Sequence, residues 1–241
     1  MPIRTIVGRV YTRPVGSFPS VKTAITQPWD AIQQRNLIHI SEADPQIIDY
    51  CTEPHRGECS TGVEDFIYFP DLIRLRVDGT IEVIEVKNSL DEVDRDPEYK
   101  RKLGYFGSIY EQLGWSFKIF DRSEIEREPR LSNARAISLD RATTVTTAHR
   151  MSLLEALQDG GGTIGFGEAV ASLSEQANPE CATGRARLHA LIVKRFIEID
   201  INKPITLFSP IRLAEPSQLS LAQVVSRHLN TEPNQESDQN A

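Results

Sequence analysis

The most constraining feature of this sequence is a pair of apolar segments joined by Asp78-Gly79. Residues 72–77 and 80–87 both alternate apolar with charged side chains, as half-buried strands do. Asp-Gly between two such segments is a strong turn signal, because glycine adopts the positive φ that a tight hairpin turn needs. The pattern therefore predicts a β-hairpin, with a further strand over residues 66–69.

This hairpin carries a group of charged residues. Alternate side chains share one face of a strand, so Glu85 and Lys87 point the same way while Val86 turns into the core. Pairing about the turn brings Asp71 close to both. Two carboxylates beside one ammonium can hold a divalent cation, with the Val86 carbonyl as a further ligand, and orient water for attack on phosphorus. The spacing alone fits an ordinary solvated ion pair equally well.

The elements around the hairpin indicate an α/β architecture. We expect a helix over residues 28–41 and a short segment over 46–51 before the hairpin. After it we expect a helix over residues 97–112, ended by Gly114, and a strand over 115–120. The order helix, strands, helix, strand around a central hairpin is typical of a nuclease-like α/β core.

From residue 149 onward the pattern becomes helical. The predicted elements are helices over 149–158, 166–176 and 183–196 and short strands over 197–201 and 205–208. Three helices closed by a hairpin are the plan of a small α+β winged-helix domain, which we place at residues 149–213. Residues 214–241 are rich in polar and acidic side chains, so we expect a largely disordered tail there.

Charge is distributed unevenly along the 241 residues, whose formal net charge is −7. Residues 1–35 carry five basic side chains and one acidic one, whereas residues 36–148 carry 14 basic and 22 acidic ones. Net acidity argues against a protein that coats nucleic acid, but the basic N-terminal arm can meet phosphates. No apolar run approaches the roughly 20 residues of a membrane span, and three cysteines are too few for a disulfide framework. We therefore expect a cytoplasmic protein without a membrane partner.

A series of short motifs occurs in order along the N-terminal half. They are Val15-Gly16-Ser17-Phe18-Pro19-Ser20-Val21-Lys22, Trp29-Asp30, Asp44-Pro45-Gln46-Ile47, Glu53-Pro54, Tyr68-Phe69-Pro70-Asp71 and Ile84-Glu85-Val86-Lys87. Together with Gly114 before the last predicted strand, they resemble the TnsA family over residues 4–126. That family comprises the transposon-end endonucleases of heteromeric cut-and-paste transposition systems.

The resemblance implies a restriction-endonuclease-like fold of the PD-(D/E)xK type over residues 1–140, followed by the winged helix. It implies Mg²⁺-dependent nicking of DNA, with Mn²⁺ as a substitute metal. It also implies two protein partners, a DDE-type transposase subunit that cuts and joins the other strand and an ATPase regulator.

Carried onto this sequence, the resemblance makes Asp71 the central metal ligand and Glu85 the second ligand. Lys87 would position water or stabilise charge on the phosphate. The family has an acidic residue early in the N-terminal helix and a second Glu four positions later, and the matching residues here are Asp30 and Gln34. Asp30 is therefore a candidate catalytic residue and metal ligand, although a helix cap is an alternative.

The loss of a carboxylate at Gln34 leaves other functions open. One alternative is a catalytically weak or inactive DNA-bound assembly adaptor, and another is a nuclease of the same fold in restriction or phage defence. Basic side chains are candidate DNA contacts in each case, because they neutralise phosphates. These candidates are Lys22, Lys100, Arg101 and Lys102 in the N-terminal region, and Arg185, Arg187 and Lys194 on the third C-terminal helix. A solvated helix face, or a protein-binding surface on the C-terminal helix, explains the same charges.

Overall fold

The computed structural model describes residues 14–175, 177–217 and 219–230, which form a mixed α/β structure. The strands are β1 (Gly16–Pro19), β2 (Thr26–Trp29), β3 (Ile47–Thr52), β4 (Gly57–Ser60), β5 (Asp65–Tyr68), β6 (Leu72–Arg76), β7 (Ile81–Val86), β8 (Ser116–Phe120), β9 (Thr163–Gly165), β10 (Ile197–Glu198) and β11 (Pro210–Leu213). The helices are α1 (Ile32–Ala43), α2 (Asp91–Asp94), α3 (Pro97–Gln112), α4 (Arg122–Ile125), α5 (Arg130–Leu139), α6 (Thr147–Asp159), α7 (Phe166–Ser172), α8 (Ala182–Val193) and α9 (Leu221–Asn230).

The central sheet has the strand order β3-β6-β7-β8, with β7 and β8 parallel and the other pairs antiparallel. The predicted hairpin is confirmed: Gly79 has a φ of 84°, and its N–H donates to the Arg76 carbonyl at 3.0 Å. Leu72 pairs with Ile84, so the next position before β6 lies opposite Glu85.

Two hydrophobic clusters cover the two faces of this sheet. Leu72 and Ile84 pack in the first cluster with residues of α1, α5 and the C-terminal helices. Ile73 and Val83 point to the opposite face and pack in the second cluster with residues of α3. Strand β7 is buried along its whole length, which explains why its charged residues need partners inside the protein.

The N-terminal predictions are largely confirmed. Helix α3 has the predicted bounds, and Gly114 follows it with a φ of 73°. Helix α1 begins at Ile32, four residues later than predicted. Strand β5 exists, but it pairs with β4 in a separate two-stranded ribbon rather than joining the central sheet.

The C-terminal segment has the element order α6, β9, α7, α8, β10, β11, with a three-stranded antiparallel sheet ordered β10-β11-β9. The predicted strand over 205–208 is wrong. These residues form a turn in which the Phe208 N–H donates to Thr206 Oγ1 at 3.2 Å, and the strand comes later, as β11. Helix α7 ends at Ser172, earlier than predicted.

Helices α5 and α9 are absent from the sequence prediction. Helix α5 packs on both α1 and α8, so the first hydrophobic cluster is continuous between the N-terminal and C-terminal segments. Helix α9 lies within the stretch predicted to be a tail, where Leu221 and Val224 are buried in the second cluster and the Leu221 N–H donates to Asp49 at 3.0 Å. The rest of the predicted tail, residues 231–241, lies outside the described residues.

Among the described residues, none of the helices combines the length and the apolar character needed to cross a membrane.

Candidate metal centre

Asp71 lies immediately before β6, where the ladder between β6 and β7 ends. Its Oδ2 accepts a hydrogen bond from the Val86 N–H at 2.6 Å, so the carboxylate takes the place of the next main-chain acceptor. The main-chain carbonyl of Asp71 accepts from the Glu53 N–H at 3.0 Å. The carboxylate is therefore held at the open end of the hairpin, next to β7, as the sequence predicts.

Glu85 projects from β7 to the α3 face and is only 4% exposed. Its Oε1 lies 2.7 Å from Lys87 Nζ, which confirms that the two side chains share a face. Val86, between them, turns to the opposite face and packs in the first hydrophobic cluster. We call Asp71, Glu85 and Lys87 the acidic cluster, because it has two carboxylates and one ammonium.

Two tyrosines complete the surroundings of Glu85. The Tyr68 hydroxyl donates to Oε2 at 2.6 Å, and the Tyr99 hydroxyl donates to Oε1. Burial, followed by the charge of Glu85, raises the pKa of both tyrosines well above the usual value, so both remain donors. Sequence reasoning missed this role, because nothing in the spacing of β5 and α3 predicts that the two elements meet over one carboxylate.

The residue that reaches Asp71 from α1 is Gln34 rather than Asp30. The Gln34 amide nitrogen donates to Asp71 Oδ1 at 2.6 Å, and its oxygen accepts from the Asp30 N–H at 2.9 Å. The N-cap position of α1 is Ala31, so the helix-cap interpretation of Asp30 is wrong. Within the described residues, Asp30 forms no group of three metal-ligating side chains with Asp71 and Glu85.

The electrostatics of the acidic cluster favour a cation. Burial, and then the negative charge of Glu85, raises the pKa of Asp71 to about 8, although hydrogen bonds from Val86 and Gln34 and the charge of Lys87 oppose the shift. A carboxyl group in this situation gains free energy from any positive charge placed beside it.

No protein-family model matches this chain, and no curated protein is significantly similar to it.

The candidate metal ligands are all oxygen atoms. Asp71 and Glu85 offer carboxylate oxygens, and the Val86 carbonyl stays a predicted further ligand. In the described part of the chain, no site brings together three or more Asp, Glu, His or Cys side chains. Mg²⁺ commonly binds one or two carboxylates and keeps several waters, so two carboxylates fit this ion and do not form a closed protein cage.

The basic residues at the start of α3 differ in their surroundings. Lys102 Nζ lies 4.7 Å from the centre of the Tyr99 ring, and Lys87 Nζ lies 4.6 Å from it. Lys102 is thus next to the acidic cluster. Lys100 is paired with Asp94 and Arg101 with Glu64, all four on the exposed surface.

Lys22, which the sequence analysis names as a candidate DNA contact, has a structural role. Its Nζ donates to the main-chain carbonyls of Ser41 at 2.8 Å and Asp44 at 2.6 Å, at the C-terminal end of α1. Burial lowers the pKa of Lys22 to about 8, against the opposing charges of Asp44 and Glu42. The preceding motif residues are structural too, since Ser20 and the Val21 N–H donate to the buried carboxylate of Glu42 at 2.6 and 2.8 Å.

The predicted contacts on α8 and directly after it fall into two groups, one used inside the protein and one exposed. Arg187 donates to the Leu173 carbonyl at 2.6 Å and ties α8 to the end of α7, so its guanidinium is used inside the protein. Arg185 and Lys194 are exposed. These two remain predicted DNA or protein contacts.

Proposed function

We propose that this protein is a Mg²⁺-dependent DNA endonuclease that nicks transposon ends as a subunit of a TnsA-type transposition complex. The observation that carries the proposal is the meeting of Asp71, Glu85 and Lys87 at the open end of one hairpin. Glu85 is almost fully buried there and Asp71 is partly buried, and among the described residues Lys87 is the ammonium beside them. An oxygen-ligated divalent cation would balance this charge.

Each residue of the acidic cluster has a role in this proposal. Asp71 and Glu85 hold the cation, and the Val86 N–H and Tyr68 hydroxyl orient their carboxylates. When bound, Mg²⁺ supplies Lewis-acid chemistry for phosphodiester hydrolysis. Lys87, only 20% exposed in its side chain, places a fixed positive charge where negative charge develops on the phosphate.

The arrangement of elements supports the finer fold assignment. A sheet of order β3-β6-β7-β8 between α1 and α3 is compatible with a restriction-endonuclease-like core over residues 1–140. The order α6, β9, α7, α8, β10, β11 is compatible with a winged helix over residues 149–213. In that domain α8 would be the recognition helix, with Arg185 on it and Lys194 directly after it as contacts to a DNA or protein partner.

The proposed partners follow from the same assignment. DNA is the substrate, and the formal net charge of −7 predicts weak affinity for it in isolation. A DDE-type transposase and an ATPase regulator would supply the targeting. The three cysteines are all free thiols, which fits a cytoplasmic location.

A nicking assay on supercoiled plasmid carrying candidate transposon ends tests the function. Asp71→Ala should lower Mg²⁺-dependent nicking by about a thousandfold, because the loss of a metal carboxylate removes several kcal/mol of transition-state stabilisation. Asp159→Ala, an exposed carboxylate at the end of α6, is the matched control and should nick like the wild type. Equal nicking by wild type and Asp71→Ala would overturn the assignment.

The Gln34 contact favours a second candidate, a weak or inactive nuclease fold that acts as a DNA-bound adaptor. The TnsA family, which this sequence resembles, has a carboxylate at the position of Gln34. Here the Gln34 amide nitrogen donates to Asp71 Oδ1 instead. Gln34→Glu distinguishes the two. A gain of Mg²⁺-dependent nicking over an undetectable wild-type level would support the adaptor, whereas robust wild-type nicking excludes it.

A further inference from the structure

A second polar site lies on the other face of the sheet from Glu85, at the turn end of the hairpin. It is a cavity of about 430 Å³ between β6, the C-terminal end of α1 and the segment from β10 to β11. Ile40, Ile199 and Ile211 contribute apolar surface to it. Four arginines line the cavity, namely Arg74, Arg76, Arg130 and Arg212. We call this cavity the arginine cleft.

Arg74 is the most buried of these arginines, with a side chain only 7% exposed. Its Nε donates to Glu82 at 2.5 Å, and its guanidinium lies over the Phe120 ring at 5.5 Å. In the described part of the chain, the hydrogen bond and the ion pair of this side chain both use Nε and leave its two terminal nitrogens to other partners. Because Arg74 lines the cleft, these donors are available to a ligand there.

Cations outnumber carboxylates around this guanidinium. Glu82 also accepts an ion pair from Lys118, so one carboxylate serves two cations. Arg130 has an 11% exposed side chain, and its partner Glu124 also forms an ion pair with Arg127, so here too one carboxylate serves two cations. Burial lowers the pKa of Arg130, and the positive charge of Arg74 contributes to this shift, so the two guanidinium groups repel each other. Arg130 Nε is buried and has no hydrogen-bond partner among the residues that the structure describes.

The carboxylates that line the cleft are already used by the protein. Glu198 pairs with Arg212 and accepts from Gln46 at 3.3 Å. Asp200 accepts from the Asn202 N–H at 3.0 Å and pairs with Lys203 at 3.2 Å. Asp44 Oδ1, the third, accepts from the Gln46 N–H at 2.9 Å. Within the described residues, none of these three forms an ion pair with Arg74 or Arg130, whose partners are Glu82 and Glu124.

We propose that the arginine cleft binds a phosphate group through Arg74, Arg76 and Arg130. Guanidinium forks match the oxygen geometry of phosphate, and a bidentate contact at a desolvated site is stronger than a surface contact. Arg76 suits a contact at the rim, since it is held only loosely, with its Nε 3.7 Å from Asp78. The cavity volume accommodates a phosphate with a small organic group attached. Neither Asp71 nor Glu85 lines the cleft, so this binding does not depend on the proposed nuclease function.

Calorimetric titration of the full chain with inorganic phosphate tests the proposal, at an ionic strength held constant with sodium chloride. We expect one phosphate per chain. Arg76→Gln should weaken binding about fivefold to tenfold, and Arg74→Lys, which keeps the charge and loses the fork, at least about tenfold. Arg95→Gln removes an 80% exposed arginine far from the cleft and should leave binding unchanged.

Two results would overturn phosphate binding. One is the absence of saturable heat with the wild-type protein, and the other is equal affinity of wild type and Arg76→Gln. Arg76 is 30% exposed in its side chain, so its replacement should leave the fold intact even if Arg74→Lys is unstable. Urea unfolding of each variant checks this directly.

Adenosine monophosphate and a short DNA duplex then identify the source of the phosphate. If the cleft takes a nucleotide, adenosine monophosphate should bind more tightly than inorganic phosphate, and Arg76→Gln should leave duplex affinity unchanged. If it takes a backbone phosphate of DNA, Arg76→Gln should lower duplex affinity, and the mononucleotide should bind no better than inorganic phosphate. A duplex affinity and a mononucleotide affinity both insensitive to Arg76→Gln would contradict the proposal.

Discussion

The two ends of the β6–β7 hairpin bury charge in opposite proportions. At the turn end, one carboxylate, Glu82, meets two cations, Arg74 and Lys118. At the open end, the acidic cluster has two carboxylates and one ammonium. Both Glu82 and Glu85 are almost fully buried, so burial alone does not distinguish the two ends.

The number of counter-charges decides how each end behaves. Burial raises the pKa of Glu82, but Arg74 and Lys118 outweigh it, and the net shift is downward. For Asp71 the same burial effect is joined by repulsion from Glu85, and the net shift is upward. One sheet therefore presents a site suited to a cation at its open end and a site suited to an anion at its turn end.

The largest expected difference between the two ends is catalytic. Lys87→Ala should lower Mg²⁺-dependent nicking by about a hundredfold, the typical cost of losing one group that stabilises transition-state charge. Lys118→Ala removes the corresponding lysine from the turn end and should leave nicking within about threefold. Plasmid nicking rates under single-turnover conditions make the comparison, and equal losses in the two variants would contradict it.

Loss of a carboxylate should lower the stability of the protein more at the turn end than at the open end. Glu82→Gln leaves Arg74 buried without its carboxylate and should lower the free energy of unfolding by about 3 kcal/mol. Glu85→Gln removes a repulsion with Asp71 as well as an attraction to Lys87, so its effect should stay within about 1 kcal/mol. Urea unfolding in the presence of a chelator measures the free energy of unfolding of both variants. Similar losses would contradict the difference in counter-charges between the two ends.

The pH dependence of stability gives a smaller effect with a defined sign. An unfolded Asp71 carboxyl, with a pKa near 3.8, has lost its proton by pH 5, whereas the folded one keeps it up to about pH 8. The folded state thus binds more protons between these values, so stability falls as pH rises. Without metal, the wild type should lose about 2 kcal/mol more than Asp71→Asn between pH 6 and 8.

Glu82 supplies the opposite trend. Its folded pKa is lowered, so its stabilising contribution is present above the ordinary value of 4.5 and is lost as pH falls. Because Glu82 is present in both proteins, its trend cancels when wild type is compared with Asp71→Asn. The two proteins should therefore be most alike at acid pH and differ most at pH 8 and above. Parallel stability curves for these two proteins over the whole range would show that the Asp71 shift is absent.

The smallest expected effect concerns the tyrosine donor to Glu85. Tyr99→Phe removes one of the two donors to Oε1, so that only Lys87 still competes with a cation for that oxygen. Loss of about 1 kcal/mol of competition should raise Mg²⁺ affinity about fivefold. Tyr105→Phe, on the same helix and exposed, is the matched control. Weaker Mg²⁺ binding by Tyr99→Phe would mean that the hydroxyl positions Glu85 instead of competing for it.

Local patterns predicted the hairpin and the shared face of Glu85 and Lys87, because strand alternation and the Asp78-Gly79 turn are set by neighbouring residues. They did not predict the Gln34 contact with Asp71, which spans 37 residues and depends on how α1 packs on the sheet. For the same reason the order of Arg74 and Glu82 along the strands did not reveal a cleft completed by β10 and β11.

The C-terminal misses have a similar cause. Helix α9 has apolar side chains at helical spacing, at Leu221, Val224 and Val225, but the polar and acidic composition of residues 214–241 as a whole favoured a tail there. Helix α5 gave no strong periodic signal, although Leu131 and Ile137 are buried between α1 and α8. Packing between elements, rather than local propensity, therefore determines α5.

A titration with Mn²⁺, followed by electron paramagnetic resonance of the free ion, tests the central claim most directly. The account predicts one bound ion per chain in the wild type and in Lys118→Ala, and a loss of at least about tenfold in affinity in Asp71→Asn. Mn²⁺ binding that is absent from the wild type, or equally strong in Asp71→Asn, would contradict a cation site at the open end of the hairpin.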